Sequence, residues 1–164
     1  MSSPVPTKFQ PIPFIISVAI TLTIGFVASY FTRPEIAGWY AILHKPIFTP
    51  PSWAFPVAWT IIYILIGTSA YLVWQKRDGS ANYKRARLIY FIQLFVNFSW
   101  SIVFFGMHQI LGALIIIVIL WLYILLNIFS FSKFSLTAAR LLIPYLLWVT
   151  FATALNYSIY ILNR

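Results

Sequence analysis

The sequence predicts an all-α polytopic membrane protein, a bundle of five transmembrane helices. Hydrophobic residues make up 62% of the chain and charged residues 8%, whereas soluble proteins average about 25% charged residues. Four stretches contain no Asp, Glu, Lys or Arg, and they are residues 9–32, 46–75, 88–132 and 141–163. Because a transmembrane helix needs about 20 apolar residues, three of these stretches accommodate one helix each and the stretch 88–132 accommodates two.

The five helices are predicted at about residues 13–31, 52–74, 83–105, 110–129 and 136–162, in a single membrane domain that takes in residues 1–164. Arg33 and Pro34 are expected to end the first helix, since proline cannot donate a backbone hydrogen bond. Ser52 is a candidate cap of the second helix. Residues 2–13 are rich in proline and predict a short, loose N-terminal tail.

The basic residues lie at the ends of the apolar stretches, where they set the orientation of membrane proteins. Five spans leave eight basic residues on the side of the N-terminus and three on the side of the first loop. We therefore expect an integral protein of a bacterial cell membrane, with a cytoplasmic N-terminus and the first loop outside. The formal charge of +9 does not indicate nucleic-acid binding, because no motif of a DNA- or RNA-binding module is present.

The sequence offers few groups for catalysis or metal binding. It has no cysteine, and its two carboxylates, Glu35 and Asp78, are predicted on opposite sides of the membrane. His44 and His108 lack the spacing of metal ligands. We therefore assign no catalytic residue, no metal ligand and no required cofactor.

Aromatic and amide side chains are predicted to converge below the first loop. Trp59 lies one to two turns below that surface, and Asn97 and Trp100 lie about two turns and one turn below it. Trp148 lies near the middle of the fifth helix. An aromatic cavity with a few amides is typical of a small-molecule site, and the loop 32–51 would be its lid. The alternative is that the aromatic rings form interface belts and the amides bond neighbouring helices.

A stripe of small residues runs along the first predicted helix. Thr21, Gly25 and Ser29 are spaced four residues apart, a pattern that allows two membrane helices to approach closely. The sequence does not identify the helix that this stripe contacts. The stripe either packs against another helix of the same protomer or forms the face of a dimer.

Three ordered motifs give the chain a resemblance to a known family. The first is WYAILHKP at 39–46 followed by TPPSWAFPVAWT at 49–60, the second is NFSWSIVFF at 97–105, and the third is LLIPYLLWVTFATALN at 141–156. In these motifs the chain resembles the translocator protein / tryptophan-rich sensory protein family (TspO/MBR, the peripheral benzodiazepine receptor family). The resemblance covers nearly the whole chain after residue 12.

The resemblance implies a five-helix membrane bundle, usually a homodimer, that binds porphyrins, including protoporphyrin IX and haem-like tetrapyrroles. It also implies binding of synthetic ligands of the isoquinoline-carboxamide and benzodiazepine type. By motif position it assigns ligand-binding roles to Tyr40, Pro50, Phe55, Trp59, Asn97, Trp100, Trp148 and Ala152. Pro56 departs from the family pattern, in which glycine is common, and is expected to stiffen the first turn of the second helix.

Three functions follow from these observations. The first is a membrane receptor or carrier for porphyrins, with a sensory, regulatory or transport role. The second, which the resemblance suggests, is a light- and oxygen-dependent enzyme that degrades protoporphyrin IX, with Trp59 and Trp148 as the residues implicated. The third is a structural or regulatory membrane protein whose aromatic residues only pack.

Overall fold

The computed structural model describes residues 8–164, and in that part of the chain five helical segments are long and apolar enough to cross a membrane. This confirms the predicted five-span bundle. The helices are α1 (Pro11–Ala37), α2 (Trp39–Ile42), α3 (Ala54–Trp74), α4 (Ala81–Ser101), α5 (Ile110–Ser132), α6 (Leu136–Leu141) and α7 (Ile143–Leu162). α4 continues into a π-helical turn, Ile102–Gly106, and α6 with α7 forms the fifth span. Residues 1–7, which belong to the predicted N-terminal tail, lie outside the described residues.

The five spans form a closed ring in the order α1, α3, α6–α7, α5 and α4. α1 packs mainly against α3, α4 against α5, and α5 against α7, while contacts from α1 to α4 and its π-helical turn close the ring. Ile66, Leu120 and Val149 are fully buried inside the ring, whereas Ile115 and Leu147 are exposed on its outside. An apolar outer surface over helices that satisfy their own backbone is what a bilayer requires.

The stripe of small residues on α1 packs against α3. Thr21 is fully buried, and its hydroxyl donates a hydrogen bond to the carbonyl of Tyr63 at 2.7 Å. A Cβ atom on Gly25 would clash with the ring of Tyr63, so this contact requires glycine. Of the two alternatives for Thr21, Gly25 and Ser29, packing within the protomer fits these contacts.

α1 continues past the end that the sequence predicts. It runs to Ala37 with Pro34 inside it, whereas Arg33 and Pro34 were expected to end it. Proline deprives the carbonyl of Tyr30 of its donor four residues on. Tyr30 is 78% exposed and Pro34 lies one turn from the helix end, so the helix tolerates the loss of one hydrogen bond. The extension keeps Arg33 on the helix rather than in a loop.

α3 begins at Ala54 rather than at Ser52. Trp53 occupies the N-cap position and no side chain caps the helix. The amide of Ala54 instead donates to the carbonyl of Pro51 at 2.9 Å, a turn that satisfies one of the free donors of the helix start. The capping role expected for Ser52 is therefore absent.

The fifth span is broken into α6 and α7, whereas the sequence predicts one helix over 136–162. Pro144 lies in the first turn of α7, where its missing N–H leaves the carbonyl of Arg140 without the usual donor. The amide of Leu142 turns back to the carbonyl of Ala139 at 3.1 Å. The break lies next to Tyr145, a fully buried side chain of the bundle core.

α4 ends in a wider, π-helical turn. The amide of Met107 donates to the carbonyl of Ile102, five residues earlier, at 2.9 Å. Turns of this kind are rare and often occur at functional sites. Here the turn carries two neighbouring rings, Phe104 and Phe105, and both line an internal cavity of the bundle. The chain then reverses through His108, which has a positive φ of 56°.

Candidate ligand-binding site

A cavity of about 490 Å³ lies at the end of the bundle below the loop that joins α1 to α3. Its walls come from α1, α3, the end of α4 and α7, and α2 lies over it. Six of the residues that the family motifs single out line it: Tyr40, Phe55, Trp59, Trp100, Trp148 and Ala152. Since pockets of roughly 300–1,000 Å³ hold drug-sized ligands, the cavity has the size of a small-molecule site.

Trp59 lies at the centre of an aromatic wall. Its ring centroid is 6.3 Å from that of Trp100 and 6.5 Å from that of Trp148, whose plane is perpendicular to it at 89°. Trp148 also meets Phe55 at 6.0 Å, and Trp100 stacks on Phe104 at 5.7 Å. These are the separations at which aromatic pairs attract. The wall therefore presents fixed rings on which a flat ligand can stack.

Asn156 fixes the position of Trp100. The indole Nε1 of Trp100 donates to Oδ1 of Asn156 at 3.1 Å, and Nδ2 of Asn156 donates to the carbonyl of Ile110 at 3.1 Å. Asn156 is buried and lines the cavity. Because both ends of its amide are engaged, Asn156 joins α4, α5 and α7 and holds one ring of the wall in place.

Two residues that the sequence assigns to the ligand do not line the cavity. Pro50 lies in the coil between α2 and α3, outside the cavity wall. Asn97 is 1% exposed; its Oδ1 accepts from the hydroxyl of Tyr63 and its Nδ2 donates to the hydroxyl of Tyr145, both at 2.7 Å. The hydroxyl of Tyr145 in turn donates to Oε1 of Gln93 at 3.0 Å. Asn97 therefore bonds three helices together inside the bundle, and its amide is already satisfied.

Sequence reasoning missed the wall that α1 contributes. This wall consists of Leu22, Gly25, Phe26, Ala28, Ser29, Thr32, Arg33 and Ile36. On α7 and the π-helical turn it also missed Leu155, Ile159 and Phe105. α1 is apolar almost all round, so its sequence does not reveal which face meets lipid. The stripe of small residues was the available signal, because two of its members line the cavity.

Two polar groups in the cavity wall have no hydrogen-bond partner in the described part of the chain. They are the hydroxyl of Tyr40 and the indole Nε1 of Trp148, and both atoms are buried. Burial raises the pKa of Tyr40 to about 12, so its hydroxyl keeps its proton at neutral pH and can donate. Buried polar groups are nearly always paired, so these two donors are open positions in the cavity wall.

The lid of the cavity, residues 38–53, is held together by Lys45. Its Nζ donates to the carbonyls of Tyr40, Ala41 and Leu43 at 2.7, 3.1 and 3.0 Å. It also lies 4.9 Å from the centre of the Tyr40 ring. The three ammonium protons thus satisfy free carbonyls at and just beyond the end of α2, and they hold Tyr40 over the cavity.

Replacing Lys45 with methionine is expected to loosen the lid. The variant keeps an unbranched side chain, one atom shorter, and loses three donors, so amide hydrogen exchange over residues 39–45 should become about tenfold faster. Hydrogen exchange read by mass spectrometry on the detergent-solubilised protein measures this. Lys133→Met, at the other end of the bundle, is the matched control. Equal exchange over residues 39–45 in both variants would contradict the role given to Lys45.

Two further contacts tie the lid to the ends of neighbouring spans. The amide of His44 donates to Oδ1 of Asn163 at 3.0 Å, and Nδ2 of Asn163 donates to the carbonyl of His44 at 2.8 Å. The ring of Trp39 stacks on His108 at 4.4 Å, and His108 pairs with Glu35 at 2.9 Å. The lid is therefore attached to α7, to the turn after α4 and to the end of α1.

The cavity opens sideways between α1 and α3. The lining residues that remain exposed belong to α1, to the end of the lid and to the start of α3, and they are Phe26, Arg33, Ser52, Pro56 and Thr60. The lining residues of α7 are buried or half-buried. We call these five exposed residues the rim. The rim lies on the outer surface of the bundle, toward its lid end.

The wall combines aromatic rings with a few polar groups. Among residues 8–164, no three side chains of the His, Cys, Asp or Glu type come together as a metal site requires. The polar groups of the wall are hydroxyls, an amide, indoles and one guanidinium. Such a wall supplies stacking surfaces and hydrogen-bond donors to a flat, largely apolar molecule.

Five membrane-spanning helices around an aromatic cavity, closed above by a lid, define an integral membrane protein with an internal binding-sized cavity. A model of the TspO/MBR family matches residues 17–162. The chain therefore belongs to the TspO/MBR family, and the resemblance found in its three motifs is confirmed.

Relatives in distant organisms match the chain over most of its length. The "Tryptophan-rich protein TspO" of Archaeoglobus fulgidus is 44% identical over 149 residues, which are 91% of this chain and 95% of the relative. The "Tryptophan-rich sensory protein" of Cereibacter sphaeroides is 39% identical over 125 residues, 76% of this chain and 77% of the relative. The "Translocator protein" of Homo sapiens is 35% identical over 152 residues, 90% of each chain.

Proposed function

We propose that this protein is a membrane receptor or carrier that binds porphyrins, such as protoporphyrin IX and haem-like tetrapyrroles, in its aromatic cavity. The observation that carries the proposal is the wall of rings around Trp59, which is rigid, apolar and set with unpaired donors. The names of two relatives, a sensory protein and a translocator protein, fit a sensory, regulatory or transport role.

A porphyrin suits this wall because its macrocycle is large, flat and aromatic. Ring contacts with Trp59, Trp100 and Trp148 would each contribute about 0.5–1.5 kcal/mol beyond the burial of apolar area. The free hydroxyl of Tyr40 and the indole N–H of Trp148 would donate to acceptors at the ligand edge. Smaller aromatic amides, including ligands of the isoquinoline-carboxamide and benzodiazepine type, would use the same stacking surfaces and the same donors. No bound cofactor is needed for this function.

The decisive experiment is a titration of purified protein with protoporphyrin IX, followed by the absorbance of the porphyrin. Saturable binding is expected. The double variant Trp59→Ala, Trp148→Ala should bind at least about tenfold more weakly, since it loses two ring contacts and the apolar area around them. Trp121→Ala is the matched control, because Trp121 bonds Thr150 on the α5–α7 side and does not line the cavity. Unchanged affinity for protoporphyrin IX in the double variant would contradict the proposal.

The same complex separates a binding protein from a light-dependent degrading enzyme. A receptor or carrier returns the porphyrin unchanged, and illumination bleaches it no faster than without protein. An enzyme would accelerate the loss and give a new absorbing product that depends on Trp59 or Trp148. The experiment needs an illuminated sample, a dark sample and a protein-free sample.

For the membrane setting, we propose a bacterial cell membrane with a cytoplasmic N-terminus, the lid outside and a homodimer as the assembled form. One end of the bundle carries Lys8, Lys76, Arg77, Lys84, Arg85, Arg87, Lys133 and Arg140. The lid end carries Arg33, Lys45 and Arg164. The excess of basic residues supports a cytoplasmic position of the first end. A dimer would use a face other than the small-residue stripe, which α3 already covers.

A further inference from the structure

Arg33 is a charged residue in the wall of an otherwise apolar cavity. It lies on the last turns of α1, its side chain is exposed at the rim, and it lines the cavity. Of the residues that line the cavity, it alone among those described carries a formal charge at neutral pH. A guanidinium stays charged under all physiological conditions, so the mouth of the cavity has a permanent positive charge.

Among residues 8–164, no acidic side chain pairs with this charge. The sequence contains two carboxylates. Glu35 is paired with His108 at 2.9 Å, and Asp78 accepts from the amide of Ser80 in the loop between α3 and α4, at the opposite end of the bundle. Within residues 8–164 Arg33 forms no ion pair. The guanidinium is therefore free to pair with an anion from outside the chain.

A second, independent group in the same cavity also lacks a partner. Tyr40 is 8% exposed, its hydroxyl has no hydrogen-bond partner in the described part of the chain, and it lines the cavity from above. No Asp or Glu within residues 8–164 lines the cavity. The cavity thus combines stacking rings, an unpaired buried donor and an unpaired guanidinium, and its complement is a flat apolar ligand with an anionic edge.

We propose that Arg33 forms an anion subsite at the rim, and that the cavity selects flat aromatic ligands that carry a carboxylate. This inference rests on the proposed porphyrin-binding function and makes it more specific. A tetrapyrrole with free propionates would stack its macrocycle on the ring wall and direct a carboxylate to the guanidinium, which binds carboxylates through two parallel hydrogen bonds. A neutral tetrapyrrole of the same shape would keep the stacking and lose the charge pairing.

The test compares protoporphyrin IX with its dimethyl ester, which has the same macrocycle and no charge. Both are titrated at neutral pH into the full chain in a non-ionic detergent without phospholipid. The unaltered protein should bind the acid about tenfold more tightly than the ester. Arg33→Gln should bind acid and ester equally, with the ester bound as tightly as by the unaltered protein. Arg164→Gln, at the same end of the bundle, should keep the full preference.

Each remaining outcome is decisive. If the acid and the ester bind alike to the unaltered protein, or if Arg33→Gln keeps the preference, the anion subsite is overturned and porphyrin binding itself stands. A guanidinium that serves only lipid headgroups gives this same result. If neither porphyrin binds to the unaltered protein, the proposed function falls with the subsite. Should Arg33→Gln not fold, sodium chloride is added to the unaltered protein instead. The salt must weaken the binding of the acid and leave the binding of the ester unchanged. Equal weakening of the two affinities overturns the subsite.

Discussion

A Gly67→Ala variant is expected to lose about 3 kcal/mol of stability, the upper end of the usual range for overpacking. Gly67 faces α1, and a Cβ atom there would lie 2.7 Å from the Cα of Val18 and 3.0 Å from the carbonyl oxygen of Ser17. These are backbone atoms, so no side chain can rotate away and α1 itself must move. The displacement would also lengthen the hydrogen bond from the hydroxyl of Ser17 to the carbonyl of Gly67, now 2.7 Å.

Thermal unfolding in detergent measures this loss, and Gly106→Ala is the matched control. A Cβ atom on Gly106 meets its nearest side chain, Ile102, at 3.8 Å, which is ordinary contact. The control should therefore melt at or slightly above the temperature of the unaltered protein, because alanine is the better helix former. Equal melting temperatures for the two variants would show that α1 and α3 are not in close contact at Gly67.

An Asn97→Leu variant is expected to lose about 2 kcal/mol of stability and to keep its affinity for the ligand. Leucine removes the acceptor of the Tyr63 hydroxyl and a donor to the Tyr145 hydroxyl, and leaving a buried polar group unpaired costs about 1–3 kcal/mol. The ligand affinity should change little, because Asn97 lies behind the cavity wall and its amide is engaged by two tyrosines.

A second change tests whether the lost hydrogen bonds are the cause. Tyr63→Phe added to Asn97→Leu removes the stranded hydroxyl, so the double variant should melt at a higher temperature than Asn97→Leu alone, since replacing both partners by apolar groups is close to neutral. Melting curves and a porphyrin titration are collected for all three proteins. A large loss of affinity in Asn97→Leu, with little loss of stability, would instead make Asn97 a ligand contact.

The positions of the five spans could be predicted because charge is excluded from the core of a bilayer. The prediction was weaker where proline was the guide. Pro34 was expected to end a helix and lies inside α1, whereas Pro144 was passed over and breaks the fifth span. The two differ in context: Pro34 removes a single hydrogen bond near a helix end, and Pro144 lies at the junction of two segments with separate packing partners. The sequence alone does not distinguish these contexts.

The candidate site was predictable where its residues differ chemically from lipid-facing ones. Trp59, Trp100 and Trp148 could be located because rings on three helices, all predicted below the first loop, imply a common surface. Asn97 was assigned to the ligand-binding residues because of its depth and helical face, but its amide is bonded by a tyrosine on each side. Hydrogen-bond partners from other helices are set by tertiary packing, which helical spacing does not encode. For the same reason the part of the wall that α1 contributes could not be predicted, because an apolar side chain such as Leu22 suits a lipid-facing position as well as a cavity-facing one.

The sideways opening of the cavity changes what an affinity measurement reports. A hydrophobic ligand that enters through the rim would be drawn from the bilayer and not from water, and its effective concentration would be its mole fraction in the membrane. Two ligands that fit the wall equally well would then rank by how strongly they partition into lipid. The apparent Kd of one ligand, expressed in aqueous molarity, would rise in proportion to the amount of lipid or detergent in the assay. Comparisons between ligands or variants are therefore meaningful at a fixed ratio of amphiphile to protein.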